Sequence, residues 1–400
     1  MRILAIAFLA SPLIVAAQLN PAITAWVINP GNETGYNNIL SNVMEVAYNT
    51  TDAYIGCTGI PGYNIGPWTG NPNTAGDQDW EFKFTLAPQQ NSGAPVNTPL
   101  GHIGVWVNGV TIFNPRDAMS YNMQNIWRQN AFYFEGSSFD NCLGHPNQQS
   151  EYHTHINPTC LYDDSDSTVH SPIIGYAFDG FPIYGAYGHA NTNGTGSITR
   201  MRSSYRTRTI TDRTTLPDGT VLSVNQYGPA ISANFPLGAY IEDFELVPGL
   251  GDLDEHNGRF CVTPDYPNGI YAYFVTLDAG LQPVYPYVLG PTYYGTVQAG
   301  NTGPGSGHNT VPSGVLIYNP FSTVEETRAT QVVLWPNPTS GQLKLSGVSA
   351  GTSLRILDVG GMEVISATVD ASSVLSLGQL PVGTYTMLLK GSAHRVVLVR

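Results

Sequence analysis

Three of the nine histidines lie close together in the sequence, at His145, His153 and His155. His153 and His155 are two residues apart, and on a β-strand that spacing points both imidazoles to the same face. Neutral imidazole is a ligand for Zn²⁺, Cu²⁺ and Fe²⁺. Because two ligands are too few for such a site, we predict that His145 and Asp179 complete the set. Asp179 lies in a turn between two apolar strands.

Two kinds of function follow from this histidine pattern. A metal ion that activates bound water supports a metal-dependent hydrolase or oxidoreductase. The alternative is that His153 and His155 form hydrogen bonds within a sheet and stack on tyrosines, with no metal. The sequence has no His-Glu-x-x-His pattern and no phosphate-binding glycine loop, so zincin protease and nucleotide-binding activities have no motif support.

A second group of polar residues is acidic and contains Glu242, Asp243, Asp254 and His256. Carboxylate oxygens suit Ca²⁺, and two carboxylates also serve as general acid and base in glycoside hydrolysis. Five arginines precede this group, and we predict that they pair with its carboxylates, because guanidinium groups match carboxylate geometry. The alternative is a cleft for an anionic substrate such as an acidic glycan. The arginines are Arg200, Arg202, Arg206, Arg208 and Arg213.

The overall charge argues against nucleic acid and anionic membrane as partners. The net charge is −13, and only three residues are lysine. Such a surface repels polyanions. Charged residues make up 11% of the chain while Gly, Pro and Tyr are abundant, which is typical of a secreted, mainly β protein.

The N-terminus has the features of a secretory signal peptide, residues 1–17. Arg2 supplies the positive charge, residues 3–15 the apolar run and Ala16-Ala17 the small residues before cleavage. The apolar run is shorter than the roughly 20 residues of a membrane-spanning helix. We therefore expect no membrane span in the mature chain.

The chain has four cysteines, and export makes disulfide bonds expected. Three pairings are open. We favour Cys142–Cys160, which braces the two ends of the histidine segment and leaves Cys57 and Cys261 as the second pair.

Element signals divide the chain into a β-rich domain at 22–318, a linker at 319–331 and a compact β unit at 332–400. Residues 80–86 alternate as a half-buried strand does. Residues 103–113 form a hairpin signal, with Asn108-Gly109 suited to a type I′ turn. The best helix candidate is 117–128.

The C-terminal unit, 332–400, resembles the type A sorting domain of the type IX secretion system. The matching residues are Pro336, Asn337, Pro338, Gly361, Gly383 and Tyr385. The resemblance implies a Bacteroidetes-type bacterium, the type IX secretion machinery as a partner, and a product that is secreted or attached to the outer-membrane surface.

The region 40–310 resembles the YHYH domain family, whose motif corresponds to Tyr152-His153-Thr154-His155. Thr154 replaces the second tyrosine, but both histidines remain, so the metal hypothesis holds. The expected fold is mainly β, a large YHYH-like domain followed by a small β-sandwich. The alternative function is a non-enzymatic module that binds a glycan or another polymer through exposed tyrosines and tryptophans.

Overall fold

A computed structural model describes residues 19–303, 306–320, 326–327, 332–389 and 392–399. The predicted signal peptide, 1–17, lies outside these residues, as do 321–325 and 328–331 of the predicted linker. The chain divides into a large unit, 1–311 with 316–326, and a small unit, 312–315 with 327–400. The main division falls inside the predicted linker, 319–331.

The regular structure of the large unit is mainly strand, with only short helices, so the mainly β prediction is confirmed. In chain order the strands are β1 (Val43–Tyr48), β2 (Asp52–Cys57), β3 (Trp80–Thr85), β4 (Val96–Asn97), β5 (His102–Trp106), β6 (Thr111–Phe113), β7 (Arg116–Ser120), β8 (Arg128–Asn130), β9 (Gly144–Pro146), β10 (Tyr152–Thr154), β11 (Ile173–Ala177), β12 (Pro182–Tyr184), β13 (Tyr187–His189), β14 (Ile198–Arg200), β15 (Tyr205–Thr207), β16 (Phe244–Leu246), β17 (Gly258–Cys261), β18 (Ile270–Phe274), β19 (Thr292–Tyr293), β20 (Leu316–Ile317) and β21 (Glu326–Thr327). The short α-helices are α1 (Pro21–Thr24) and α2 (Ala131–Phe134), and single 3₁₀ turns occupy Tyr36–Asn38, Tyr121–Met123, Gly136–Ser138, Val224–Gln226 and Ile241–Asp243.

Two sheets enclose the main core. One has the order β21-β20-β1-β2-β3, and the other is mixed, with the order β17-β18-β12-β11-β5-β6-β10-β9. The predicted alternation of β3 is observed, and it points Phe82 and Phe84 inward. Their rings pack against Tyr176 and Phe178 from the second sheet, with 5.3 Å between the centroids of Phe82 and Phe178. These aromatic contacts hold one face of the sheet that carries the histidines.

The hairpin between β5 and β6 forms at the predicted residues but has a different turn. A type I′ turn needs positive φ at both central residues, and of the predicted pair only Gly109 has it. The N–H of Gly109 donates to the carbonyl of Trp106 at 2.8 Å, and the N–H of Trp106 donates to Val110 at 2.9 Å. The loop is therefore a three-residue turn with glycine in the left-handed position.

The predicted helix at 117–128 is wrong. These residues form β7, a 3₁₀ turn and the start of β8. Asn122, Met123 and Asn125 have positive φ, a conformation that a right-handed helix does not accept. The polar residues of this segment, at Asp117, Asn122 and Asn125, favour local turns over helix.

The small unit contains the last seven strands and its own core. The strands are β22 (Val333–Trp335), β23 (Gln342–Ser346), β24 (Ser353–Leu357), β25 (Glu363–Thr368), β26 (Val374–Ser376), β27 (Gly383–Leu389) and β28 (Ser392–Leu398). They form a three-stranded sheet, β22-β23-β26, and a four-stranded sheet, β25-β24-β27-β28. Leu343, Ile356, Met387 and Val396 are fully buried between them.

The predicted sorting residues have structural roles in this unit. The side chain of Asn337, between Pro336 and Pro338, accepts from the N–H of Val397 and donates to the carbonyl of Arg395. Gly361 has a φ of 80°, and Gly383 begins β27. The buried Tyr385 donates its hydroxyl to the carbonyl of Pro381 at 2.7 Å.

The predicted disulfide Cys142–Cys160 is present, with the Cα atoms 5.1 Å apart. The predicted second pair is wrong, because Cys57 and Cys261 are free thiols. Cys57 lies in β2 of the five-stranded sheet, whereas Cys261 lies in β17, at the edge of the other sheet. Both are buried as small apolar side chains.

Candidate metal site

The register of β9 and β10 brings the three histidines together. His145 in β9 lies directly opposite His153 in β10, and His155 follows His153 by two residues, as the predicted strand spacing requires. The Nε2 atoms of His153 and His155 are 3.2 Å apart. All three histidines are buried, and Phe113 stacks on the His153 ring at a centroid distance of 3.7 Å.

Glu135, which the sequence analysis missed, is the fourth residue of the cluster. It lies at the end of α2, whose first N–H groups are capped by the side chain of Asn130. Its Oε2 atom is 3.1 Å from Nε2 of His145 and 3.3 Å from Nε2 of His155. The ligand atoms of Glu135 and the three histidines all lie within 4.8 Å of one another.

Hydrogen bonds fix the tautomer of each imidazole. Nδ1 of His153 is 3.0 Å from the carbonyl of Glu151, and Nδ1 of His155 is 2.7 Å from the carbonyl of Asn114. Because a carbonyl only accepts, each Nδ1 carries the proton, and each Nε2 presents a lone pair. Outer hydrogen bonds of this kind orient the histidine ligands of metal sites.

His145 has the same tautomer through a hydroxyl. Ser138 donates its hydroxyl proton to the carbonyl of Glu135 at 2.8 Å. The oxygen of Ser138 therefore accepts from Nδ1 of His145, 2.7 Å away. The buried Nε2 of His145 has no hydrogen-bond partner.

Four electron-pair donors thus face one another across a buried space. Three imidazole lone pairs and a carboxylate repel when they are about 3 Å apart, unless a cation lies between them. Atoms that bind one metal ion at 2.0–2.2 Å lie at about this separation. The geometry accommodates one metal ion, or a proton held by one imidazole when the metal is absent.

The surroundings of His145, His153 and Glu135 favour the forms that bind metal. Desolvation lowers the pKa of His145, and it lowers the pKa of His153 well below its usual value, aided by the two neighbouring imidazoles. Desolvation opposes ionisation of Glu135, but the interactions of its carboxylate with His145 and His155 outweigh desolvation and hold the pKa of the carboxyl well below its usual range. Neutral imidazoles and a carboxylate are the forms that ligate metals.

The histidines open into a cleft of about 610 Å³. Its wall carries Asp117, the apolar rings of Phe113 and Phe134, and the amide side chains of Asn71 and Gln148, among others. A cleft with apolar walls and a few polar groups beside a metal site is the usual form of a small-molecule site.

Asp179 does not lie with the histidines. Its Oδ2 atom accepts from the hydroxyl of Tyr273 at 2.6 Å and from the N–H of Gly295 at 2.8 Å. These bonds join the turn after β11 to β18 and β19. Asp179 is therefore a buried structural carboxyl. Glu135 occupies the position beside the histidines that we predicted for Asp179.

Asp179 is expected to make stability depend on pH. Burial raises the pKa of Asp179 to about 6, so between pH 4 and 6 the folded state binds more protons than the unfolded state. The contribution of Asp179 to the free energy of unfolding should then fall as pH rises through this range, by up to about 3 kcal/mol. Urea unfolding of the wild type and of Asp179→Asn at pH 4.5 and pH 7 tests this. Asp179→Asn should lose this contribution while Glu242, whose pKa burial raises to about 7, keeps its own, and the exposed Asp212→Asn should behave as the wild type does.

The predicted acidic site does not assemble. Glu242 binds Arg128, with Oε2 accepting from the backbone N–H at 2.7 Å, and burial raises the pKa of Glu242 to about 7. Asp254 accepts from the hydroxyl of Tyr271 at 2.8 Å. Nδ1 of His256 is 3.0 Å from a backbone carbonyl. Within the described residues, the only group of three or more His, Cys, Asp and Glu placed to hold a metal is that of Glu135.

The arginines act mainly as we predicted, by pairing with carboxylates. Arg202 binds Asp252, Arg206 binds Glu245 and Arg213 binds Asp243. Arg208 instead donates to the carbonyls of Thr215 and Glu242. These contacts join β15 and the following loop to β16.

Tyr152 and Thr154 of the motif have packing roles. The hydroxyl of Tyr152 donates to Asp140, about 3.1 Å away. The buried hydroxyl of Thr154 accepts from Nε1 of Trp106 at 2.8 Å. Threonine at this position therefore satisfies an indole N–H within the sheet.

The tryptophans of the large unit give no support to a glycan-binding surface there, whereas Trp335 of the small unit is exposed. The five in the large unit are each no more than 9% exposed, at Trp26, Trp68, Trp80, Trp106 and Trp127. Their rings fill the core, where they cannot stack on a sugar.

Comparison with known families identifies both parts of the chain. The family model described as YHYH protein matches residues 81–285, just over half of the chain. The chain therefore belongs to the YHYH family. The model described as secretion system C-terminal sorting domain matches residues 333–398. Both resemblances are confirmed, and the type IX sorting domain marks the protein for secretion and surface attachment, as in Bacteroidetes.

Other comparisons add little. No curated protein matches the chain. One solved structure that matches the chain is PorZ, an essential bacterial surface component of the type IX secretion system of Porphyromonas gingivalis. Its sequence is 11% identical to this chain, and the match covers 95% of this chain and 54% of PorZ with a TM-score of 0.16. The chain thus spans about half the length of PorZ, and a TM-score this low does not show a shared fold.

No helix among the residues that the structure describes is both long and apolar enough to cross a membrane.

Proposed function

We propose that Glu135, His145, His153 and His155 bind one transition-metal ion, and that this secreted YHYH protein is a metal-dependent enzyme. The observation that supports the proposal is the inward convergence of three Nε2 lone pairs and one carboxylate, 3.1–3.3 Å apart where they touch. In each neutral imidazole the Nδ1 proton is already used in a hydrogen bond, so a bound cation or one added proton must separate the donors.

The number of ligands favours iron or copper over zinc. Four protein ligands fill the tetrahedral shell of zinc, which leaves no position for substrate or water. Iron and copper accept further ligands at open positions. We therefore propose an oxidoreductase in preference to a hydrolase, with zinc at this site serving only to stabilise the fold.

The chain contributes orientation and a substrate cleft. Ser138 and the carbonyls of Asn114 and Glu151 hold the imidazole rings in place. Asp117 lies beside Glu135 in the cleft; burial raises its pKa, and the neighbouring Glu135 raises it further. A carboxyl that keeps its proton at such a position can donate it to a bound substrate.

Elemental mass spectrometry of the full chain tests metal binding. We expect about one equivalent of metal after reconstitution with Fe²⁺, Cu²⁺ or Zn²⁺ in separate samples. Glu135→Gln keeps the shape of the side chain but removes the charge, and it should weaken metal binding at least 100-fold. The control Glu255→Gln changes an exposed carboxylate and should bind as the wild type does. Equal metal content in chelated and reconstituted samples, at zero equivalents, would refute the proposal.

A further inference from the structure

We propose that Arg116 and Arg128 form a binding site for an oxyanion, the carboxylate, phosphate or sulfate group of a small ligand. The two arginines line a cavity of about 240 Å³ together with Asn114 and Tyr285. None of the four proposed metal ligands lines this cavity. The site goes beyond the proposed function and does not depend on the metal.

Strand pairing places the two positive charges on neighbouring strands. Arg116 in β7 lies opposite Asn130 in β8, and Arg128 lies opposite Ser120, with an irregularity in the ladder between the two pairs. Residues two apart on a strand share a face, so Arg128 is on the same face as Asn130 and Arg116, and both arginines line the cavity. Like charges at neighbouring positions destabilise a sheet. An attractive interaction with a negative group is therefore needed to offset the repulsion between the two arginines.

Arg116 forms no ion pair within the described part of the chain. Its Nε atom is buried and has no hydrogen-bond partner. Burial lowers the pKa of Arg116 and the charge of Arg128 lowers it further, while the charge of Glu242 raises it in part. Arg128, in contrast, forms an ion pair with Glu242, with 3.4 Å between Nη1 of Arg128 and Oε1 of Glu242.

The net charge of the protein makes an arginine without an ion pair unexpected. With a net charge of −13, the chain has many carboxylates that could pair with Arg116. A buried polar group without a partner is costly, and here it borders a cavity. An external anion is the partner that supplies both the missing acceptor and the missing negative charge.

The shape and size of the site indicate the ligand. A guanidinium presents parallel N–H groups that match the two oxygens of a carboxylate, phosphate or sulfate. The cavity is smaller than the roughly 300–1,000 Å³ of a typical ligand pocket, so it holds one anionic group. Arg116 also lines the metal cleft, which gives a larger ligand room to extend.

Calorimetric titration of the full chain tests the site. The protein is first treated with a chelator, so that no metal ion can bind the anions. The probes are sodium sulfate, sodium phosphate, glucuronate and neutral glucose. We expect at least one anion to bind, with neutral glucose binding at least tenfold more weakly than the anion that binds most tightly. Binding of sulfate or phosphate alone assigns a tetrahedral anion, and binding of glucuronate alone assigns a carboxylate.

Three variants locate the site. Arg116→Gln should weaken anion binding at least tenfold, whereas Arg116→Lys keeps the charge and should weaken it less. Arg206→Gln, which removes an exposed arginine from its pair with Glu245, should bind as the wild type does. The proposal is overturned if no anion binds at 10 mM, if glucose binds as tightly as the best anion, or if Arg206→Gln loses as much affinity as Arg116→Gln.

Discussion

Replacing His153 and His155 with alanine is expected to abolish metal binding and the stability that metal confers. A ligand that binds only the folded state raises the free energy of unfolding by about 4 kcal/mol at 1,000 times its Kd. The wild type should show this gain with saturating metal, and His153→Ala/His155→Ala should show none. Thermal unfolding with metal and with chelator measures both values.

The chelated proteins should differ much less than the metal-loaded ones. Alanine at position 153 removes the ring that stacks on Phe113 at 3.7 Å, which costs packing energy. It also removes the Nε2 lone pair that faces His155. The relief of that repulsion offsets part of the packing cost. The exposed His308 provides the control, because His308→Ala should keep the full gain from metal. A double variant that gains as much stability from metal as the wild type would contradict the site.

The three histidines could be predicted from sequence because local spacing determines their geometry. An i, i+2 pair on a strand shares a face whatever the rest of the fold does. The disulfide could be favoured for a similar reason, since Cys142 and Cys160 flank the same segment. The prediction of a second disulfide was wrong because Cys57 and Cys261 belong to different sheets. The sequence around each cysteine contains no sign of this separation.

Glu135 could not be predicted, because no fixed spacing connects it to the histidines. It follows a run of apolar residues, and only the tertiary fold, in which α2 packs beside β8 and the 3₁₀ turn Gly136–Ser138, brings its carboxylate to the imidazoles. Asp179 looked equally suitable in sequence, since both are single carboxylates beside apolar segments. Tertiary contacts decide between them: Asp179 meets Tyr273 and Gly295, while Glu135 meets His145 and His155.

The pair formed by Arg213 and Asp243, which belong to the predicted arginine run and acidic group, offers the second large effect. Both side chains are fully buried. Nε and Nη2 of Arg213 donate to the two carboxylate oxygens, each at 2.8 Å. The remaining donors of Arg213 reach the carbonyls of Pro229, Phe235 and Pro236.

Removing one partner of this pair leaves a charge in the core with nothing to balance it. Arg213→Met should therefore lower the free energy of unfolding by about 3–5 kcal/mol, as measured by urea titration. Arg213→Met/Asp243→Asn removes both charges and should be less destabilised than the sum of the two single variants. Arg206→Met breaks the exposed pair with Glu245 and should cost no more than about 1 kcal/mol. Equal losses in Arg213→Met and Arg206→Met would show that burial does not set the energy of these pairs. A larger loss in Arg213→Met than in Arg206→Met would instead show that the buried arginine of this run holds its loop to the core. In sequence the same run resembles an anion-binding surface.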